Sequence, residues 1–134
     1  MISVILLLLL LLCVISIWCS YHVLSLTTFT LSSEKVNTPM RAVLISDQHD
    51  HIFRDDNEEL IERILELEPD VVFMDGDMLN ADSDDISWLL SEIERLSAKV
   101  PVYYALGNHE LAYMAAHPDL ITQLEEAGAK VELK

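Results

Sequence analysis

The sequence predicts an α/β domain on a mainly parallel sheet, preceded by one apolar helix. Three observations predict it. From Arg41 onward, strand-length apolar runs alternate with segments of helical period. Three polar clusters, Asp47-Gln48-His49, Gly76-Asp77 and Gly107-Asn108-His109-Glu110, each close one of those runs. They recur about thirty residues apart, the length of one strand–helix–strand unit. The middle run, Val71 to Met74, is apolar at every position, as in a central parallel strand covered on both faces.

The chain opens on an apolar leader. From Ile2 to about Tyr21 no side chain is charged, and a nearly unbroken leucine run fills its first half. About twenty apolar residues suffice to cross a bilayer as a helix. A cleaved signal peptide normally has a basic start, a shorter apolar stretch and a small-residue cleavage site. Here no Lys or Arg precedes Lys35, and no Ala-x-Ala pattern follows the run. Residues 1–26 are therefore expected to be a single-pass transmembrane anchor in the lipid bilayer. Lys35 and Arg41 flank only its C-terminal side, which leans toward a cytoplasmic domain, but many acidic residues offset them and leave the side open. Cys13 and Cys19 read as apolar membrane residues, and bulky Trp18 argues against acylation of Cys19. With no cysteine in the soluble part, redox compartment cannot be read.

Residues 27–40 form a polar linker marked by Ser32, Ser33, Asn37 and Pro39, and residues 41–134 the soluble domain. Its first strand is Ala42 to Ile45. A helix follows the loop Asp47 to Asp56, with Asn57 as its expected N-cap and Glu58 and Glu59 in its first turn. Leu60, Ile61, Ile64, Leu65 and Leu67 form its apolar side, and Pro69 lies just past its end. After the strand Val71 to Met74, a second helix is expected from about Asp84 to Ala98, with Ile86, Leu89, Leu90, Ile93 and Leu96 at helical spacing. The strand Val102 to Leu106 comes next. A third helix runs from near Asp119 to Ala127, closed by Gly128, and Lys130 to Leu133 reads as a final strand.

Composition narrows the partners. The formal net charge is −15, and the charged side chains all lie from Glu34 onward. Such acidity argues against nucleic acid, which needs a basic surface, and against docking on anionic headgroups. A soluble, self-repelling surface explains it.

In an open parallel sheet, ligands bind outside the carboxyl ends of the strands. Asp47, His49, Asp77, Asn108 and His109 should therefore converge there. Carboxylate, imidazole and amide oxygen make a mixed oxygen and nitrogen set suited to Mn, Fe or Zn. Gly76 permits a tight turn that points Asp77 inward, and a carboxylate can bridge two ions. Asn108 offers a carbonyl oxygen, and His109 can donate a proton to a leaving group. The structural alternatives are an N-cap asparagine and a half-buried histidine. Asp50 and His51 are assigned to solvent or supporting contacts, and Asp75 to orienting its surroundings or facing solvent.

Ile45-Ser46-Asp47-Gln48-His49, Met74-Asp75-Gly76-Asp77 and Ala105-Leu106-Gly107-Asn108-His109-Glu110 resemble the first three signatures of the calcineurin-like metallophosphoesterases. The resemblance spans Arg41 to about Lys134 and looks closest to membrane-associated bacterial members. It implies hydrolysis of a phosphoester substrate with two divalent metal ions. Asp47 and His49 would bind the first ion, Asp77 would bridge both and Asn108 would bind the second. His109 would serve the leaving oxygen as general acid or transition-state stabiliser. It also implies a two-sheet α/β sandwich, of which this chain is expected to be the N-terminal half, with an apolar sheet face left uncovered.

The departures shape the expectation. Asn80 stands where many members have a second Asp. The family's later histidines, including a Gly-His-x-His signature, do not appear after Glu110, where His117 is the only histidine and precedes Pro118. As this chain, the enzyme is expected to be weakly active or inactive, its other ligands belonging to a C-terminal half. A non-catalytic, membrane-anchored remnant binding at most one metal is the alternative. Asp75-Gly76-Asp77 also resembles the first motif of haloacid-dehalogenase-type phosphatases, with Asp75 as nucleophile. That reading leaves the other two clusters unexplained and meets Leu79 where Thr or Val is expected.

Overall fold

The computed structural model describes residues 2–132 and divides into two units, Met1–Ser33 and Glu34–Lys134. In the first, α1 spans Ile2–His22. Its apolar residues from Val4 onward are exposed all round, and Val4–His22 is long and apolar enough to cross a membrane. At its end, His22 Nδ1 lies 2.9 Å from the Trp18 carbonyl oxygen and the two rings stack at 4.8 Å.

The second unit carries one sheet of four parallel strands, β1 Ala42–Ile45, β2 Val71–Met74, β3 Val102–Ala105 and β4 Ala129–Glu132, in the order β1-β2-β3-β4. The connecting helices are α2 Arg54–Glu66, α3 Ser87–Ser97, α4 Asn108–Tyr113 and α5 Leu120–Glu126. Every step along the sheet goes the same way. Crossovers between parallel strands are right-handed almost without exception, so repeated steps in one direction stack the helices on one face.

The strand period of two divides the residues accordingly. Val43, Val72, Val102 and Ala129 align across the sheet, as do Ile45, Met74, Tyr104 and Val131. Both rows pack into one core with Ile61 and Ile64 of α2, Leu89, Ile93 and Leu96 of α3, and Leu120 and Leu124 of α5. The row between them, Leu44, Phe73, Tyr103 and Lys130, faces away from the helices. Leu44 is 65% exposed and Phe73 39%, while Lys130 Nζ sits 5.0 Å above the Tyr103 ring. The expectation that β2 is covered on both faces is corrected here, since monotonic strand order covers only one. The uncovered apolar face expected of a half sandwich is present.

Three further boundaries differ from the sequence reading. α2 begins at Arg54, so Asn57 is not its N-cap. Instead the buried Asn57 reaches back, accepting the Phe53 N–H at 2.7 Å through Oδ1. α3 starts at Ser87 rather than Asp84, because the Asp85 carboxylate accepts the Ser87 N–H at 2.8 Å and stops the chain there. α4 was not expected as a helix. Of the fourth strand, Leu133 lies outside the described residues, as does Lys134 of the predicted domain.

Candidate metal centre at the strand ends

The loops leaving β1, β2 and β3 lie side by side because their strands do. The Asp47 N–H donates to the Gly76 carbonyl at 3.2 Å, His49 N–H to Asp77 at 3.1 Å and Asp50 N–H to Met78 at 3.0 Å. The first two loops thus stay paired beyond the strands. To do so, Asp47 (φ 56), His49 (φ 48), Asp50 (φ 58) and Asp77 (φ 52) all adopt left-handed backbone. Each such non-glycine residue costs on the order of 1 kcal/mol, and such strain gathers at functional sites.

The second and third loops meet at two glycines. A Cβ on Gly76 (φ 80) would lie 2.7 Å from Gly107 Cα, and one on Gly107 would lie 2.7 Å from Asp77 Cγ. No side chain fits at either position without moving the other loop. The contact lets Asp77 Oδ1 accept the His109 N–H at 3.0 Å.

Hydrogen bonding fixes the histidine tautomers. Asn80 donates its Nδ2 to Asp50 Oδ2 at 2.7 Å and to the His49 carbonyl at 3.2 Å, so its Oδ1 faces His49 Nδ1 at 3.1 Å. An acceptor there makes Nδ1 the protonated nitrogen and leaves the lone pair on Nε2. That Nε2 lies 4.0 Å from Asp47 Oδ1. A histidine tied back through one nitrogen with the other presented beside a carboxylate is how imidazole is prepared for a metal. His109 is held the opposite way. Its Nδ1 accepts the Ala81 N–H at 3.2 Å, so Nε2 carries the proton. The two rings meet edge to face at 4.7 Å.

Beneath this surface lies Glu110, fully buried. Its Oε2 accepts the N–H groups of Asp77 and Gly107, each at 2.9 Å. Its Oε1 accepts the Met78 N–H at 2.9 Å and the Tyr104 hydroxyl at 2.8 Å. Burial, then the Glu110 charge, push the Tyr104 phenol far above its ordinary range, so it remains a donor. The sequence motifs alone assign Glu110 no role. The signal was there: an acid three residues after a glycine that opens a helix is the acidic half of a capping box.

The five predicted residues are thus placed as follows. Asp47 and His49 face each other, Asp77 joins His109 through its N–H, and Asn108 is exposed at the head of α4. Asp50 is a supporting residue, accepting Ser83 Oγ at 2.7 Å as well as Asn80. Asn80, read from sequence as a departure, orients His49. Asp75 is exposed and lines a groove on the open sheet face with Met40, Phe73 and Tyr103, which separates it from Asp77 and leaves the aspartyl-nucleophile reading without support. Among the described residues, no three His, Cys, Asp or Glu side chains gather into a group able to hold a metal ion. Asp47 with His49 is a pair, chemically suited to a divalent ion but short of a full shell.

The parallel α/β domain thus carries acids, imidazoles and an amide at three adjacent strand ends. The family model for calcineurin-like phosphoesterases matches residues 40–131, and the chain belongs to that family. A comparison with curated proteins gave no match. Membership points to metal-dependent hydrolysis of phosphoesters, and the family generally uses divalent metals.

Proposed function

We propose that this chain is a membrane-anchored metallophosphoesterase domain in which Asp47, His49, Asp77 and Asn108 hold up to two divalent ions and His109 serves the leaving group. The observation that carries the proposal is the pair of opposed histidine tautomers. His49 presents a lone pair beside the Asp47 carboxylate, whereas His109 presents an N–H. Mn, Fe and Zn all suit this donor set. When bound, such ions supply Lewis-acid polarisation of a phosphoryl oxygen and neutralise charge developing at phosphorus. The protein's own part is to present the donors, to hold Asp77 against His109 and to deliver the Nε2 proton of His109 to the departing oxygen.

Residues 40–131 furnish one wall of such a site. We propose that its remaining ligands come from outside these residues, and that this chain by itself turns over little phosphoester. The non-catalytic reading, one weakly bound ion, is favoured because, among the described residues, no third acid or imidazole joins Asp47 and His49 in a group able to hold a metal ion. The apolar helix α1 supports single-pass anchoring and leaves the side of the membrane open.

Two measurements on the full chain in detergent decide between these. Titration with Mn2+ is expected to show binding that Asp77→Asn weakens at least tenfold; absence of binding in the parent would sink the ligand assignment. Hydrolysis of an aryl phosphate with added Mn2+ is expected to stay near background. Robust turnover that vanishes in Asp77→Asn would instead establish an active site complete in this chain.

A further inference from the structure

Ser83, Asp50, Asn80 and His49 form a continuous hydrogen-bonded line that ends at the candidate metal pair. Its direction is set at Asp50, whose carboxylate only accepts. The Ser83 hydroxyl lies 2.7 Å from both Asp50 oxygens. Asp50 Oδ2 also accepts Asn80 Nδ2 at 2.7 Å and the Asn80 N–H at 3.3 Å, and Ser83 Oγ accepts that same N–H at 2.9 Å. Asp50 thus holds Asn80 through both its backbone and its amide. Turned over, the amide would set its oxygen against Asp50 Oδ2 and against the His49 carbonyl, where Nδ2 now lies at 2.7 and 3.2 Å. Two contacts between acceptors forbid that orientation.

The orientation decides which nitrogen of His49 can meet a metal ion. Two acceptors compete for the single proton of the neutral ring. Asn80 Oδ1 lies 3.1 Å from Nδ1, within hydrogen-bond range, whereas Asp47 Oδ1 lies 4.0 Å from Nε2, outside it. A carboxylate is the stronger acceptor of the two, so the proton stays on Nδ1 only while the amide oxygen faces it. With the amide NH2 in that place, Nδ1 would become the acceptor and the proton would move to Nε2. Asp47 and His49 would then pair with each other instead of with an ion.

We propose that Asp50 is a positioning residue for His49: by fixing the Asn80 amide oxygen on Nδ1, it keeps the Nε2 lone pair open to a divalent ion. The inference rests on the proposed metal site for its functional meaning. It also makes positions 50 and 80 exchangeable as a pair. In the double variant Asp50→Asn with Asn80→Asp, a carboxylate oxygen would face Nδ1 with the amide behind it, and the net charge is the same as in the parent.

The test uses the full chain in detergent and reads two quantities. Proton–nitrogen correlation spectra of the imidazole rings report the His49 tautomer in the metal-free protein, at mildly alkaline pH where imidazoles are neutral. The His49 signals are assigned by their loss in His49→Gln. Mn2+ titration reports affinity. The parent is expected to carry its proton on Nδ1. Asp50→Asn, whose NH2 tolerates a turned-over Asn80 amide, is expected to move the proton toward Nε2 and to weaken Mn2+ binding roughly tenfold, the weight of one hydrogen bond. The double variant is expected to restore both the tautomer and the affinity. Ser83→Ala removes a hydrogen bond from the same turn but leaves Asn80 on Asp50, and its His49 tautomer is expected to match the parent. A proton that stays on Nδ1 in Asp50→Asn overturns the proposal. So does a double variant that binds Mn2+ as weakly as Asp50→Asn. A tautomer that shifts equally in Ser83→Ala also overturns it, since any loosening of the turn would then suffice. If the tautomers behave as expected and the parent binds no Mn2+, the metal site falls while the orientation of His49 by Asp50 stands.

Discussion

Among the described residues of this domain two glutamates are buried, and they are satisfied in opposite ways. Glu110 meets four donors, two on each oxygen, drawn from the loops after β2 and β3 and from Tyr104. Glu92 accepts one hydrogen bond, from Asn57, and its other oxygen is buried without a hydrogen-bond partner. A carboxylate surrounded by donors compensates its own desolvation, whereas one short of donors takes up a proton. The first arrangement ties the loops after β2 and β3 together through one carboxylate. The second is sensitive to pH, because burial pushes the Glu92 carboxyl up to about 7. A value raised above the ordinary 4.5 means the fold favours the neutral acid, so this stability is complete below 4.5 and is lost as pH rises through about 7. The domain places the first where Asp77 and His109 are held, and the second against Gln48 and Asn57.

Breaking the contrast at Glu110 should have the largest effect. Glu110→Ala leaves three backbone N–H groups and a phenol unpaired in the interior, a loss of about 4 kcal/mol or more. Urea unfolding of the detergent-solubilised chain is expected to show the domain largely unfolded before denaturant is added. Glu110→Gln keeps the volume but turns an NH2 toward donors, and should lie between Ala and parent. If Glu110→Ala costs less than about 1 kcal/mol, the four bonds are not a junction.

The pH arm sharpens the other side. Between pH 4.5 and 7 the Glu92 contribution is expected to fall by about 3 kcal/mol, read as the difference in unfolding free energy between parent and Glu92→Gln. Gly107→Ala comes next. Its Cβ would press on Asp77, costing about 2 kcal/mol of stability and displacing the carboxylate, so weakened Mn2+ binding should accompany the lower unfolding midpoint. The smallest effect is reserved for the open sheet face. Phe73→Ser is expected to change stability by less than about 1 kcal/mol, because the ring is already partly in water. A larger loss would mean that this face is covered in solution.

Much of this was legible in the sequence. Strands β1 and β2 were placed to the residue, since short apolar runs bounded by turn chemistry leave little freedom. The adjacency of the loops that carry Asp47, Asp77 and His109 followed from the strand-end spacing. What escaped was the support beneath them. Asn57 carries every mark of an N-cap, yet its amide serves both Phe53 and Glu92, and only the packing of α2 on α3 reveals the second partner. Glu92 itself reads as one more solvated acid on a helix. Its neighbours Leu89, Ile93 and Leu96 define an apolar stripe wide enough to include it, but no pattern says which polar residue a stripe will swallow. Asn80 resembled a defect in a motif because its partner, His49, lies a strand away.

The strand order has a consequence for how the chain comes to be folded. Each strand pairs with the one made just before it, so every strand–helix–strand unit can close as soon as its last residue is synthesised. No strand waits for a distant partner, and contacts stay local for a parallel sheet, which ordinarily folds slowly. The polypeptide can add strands to a growing edge from its N-terminal end, in the direction of translation.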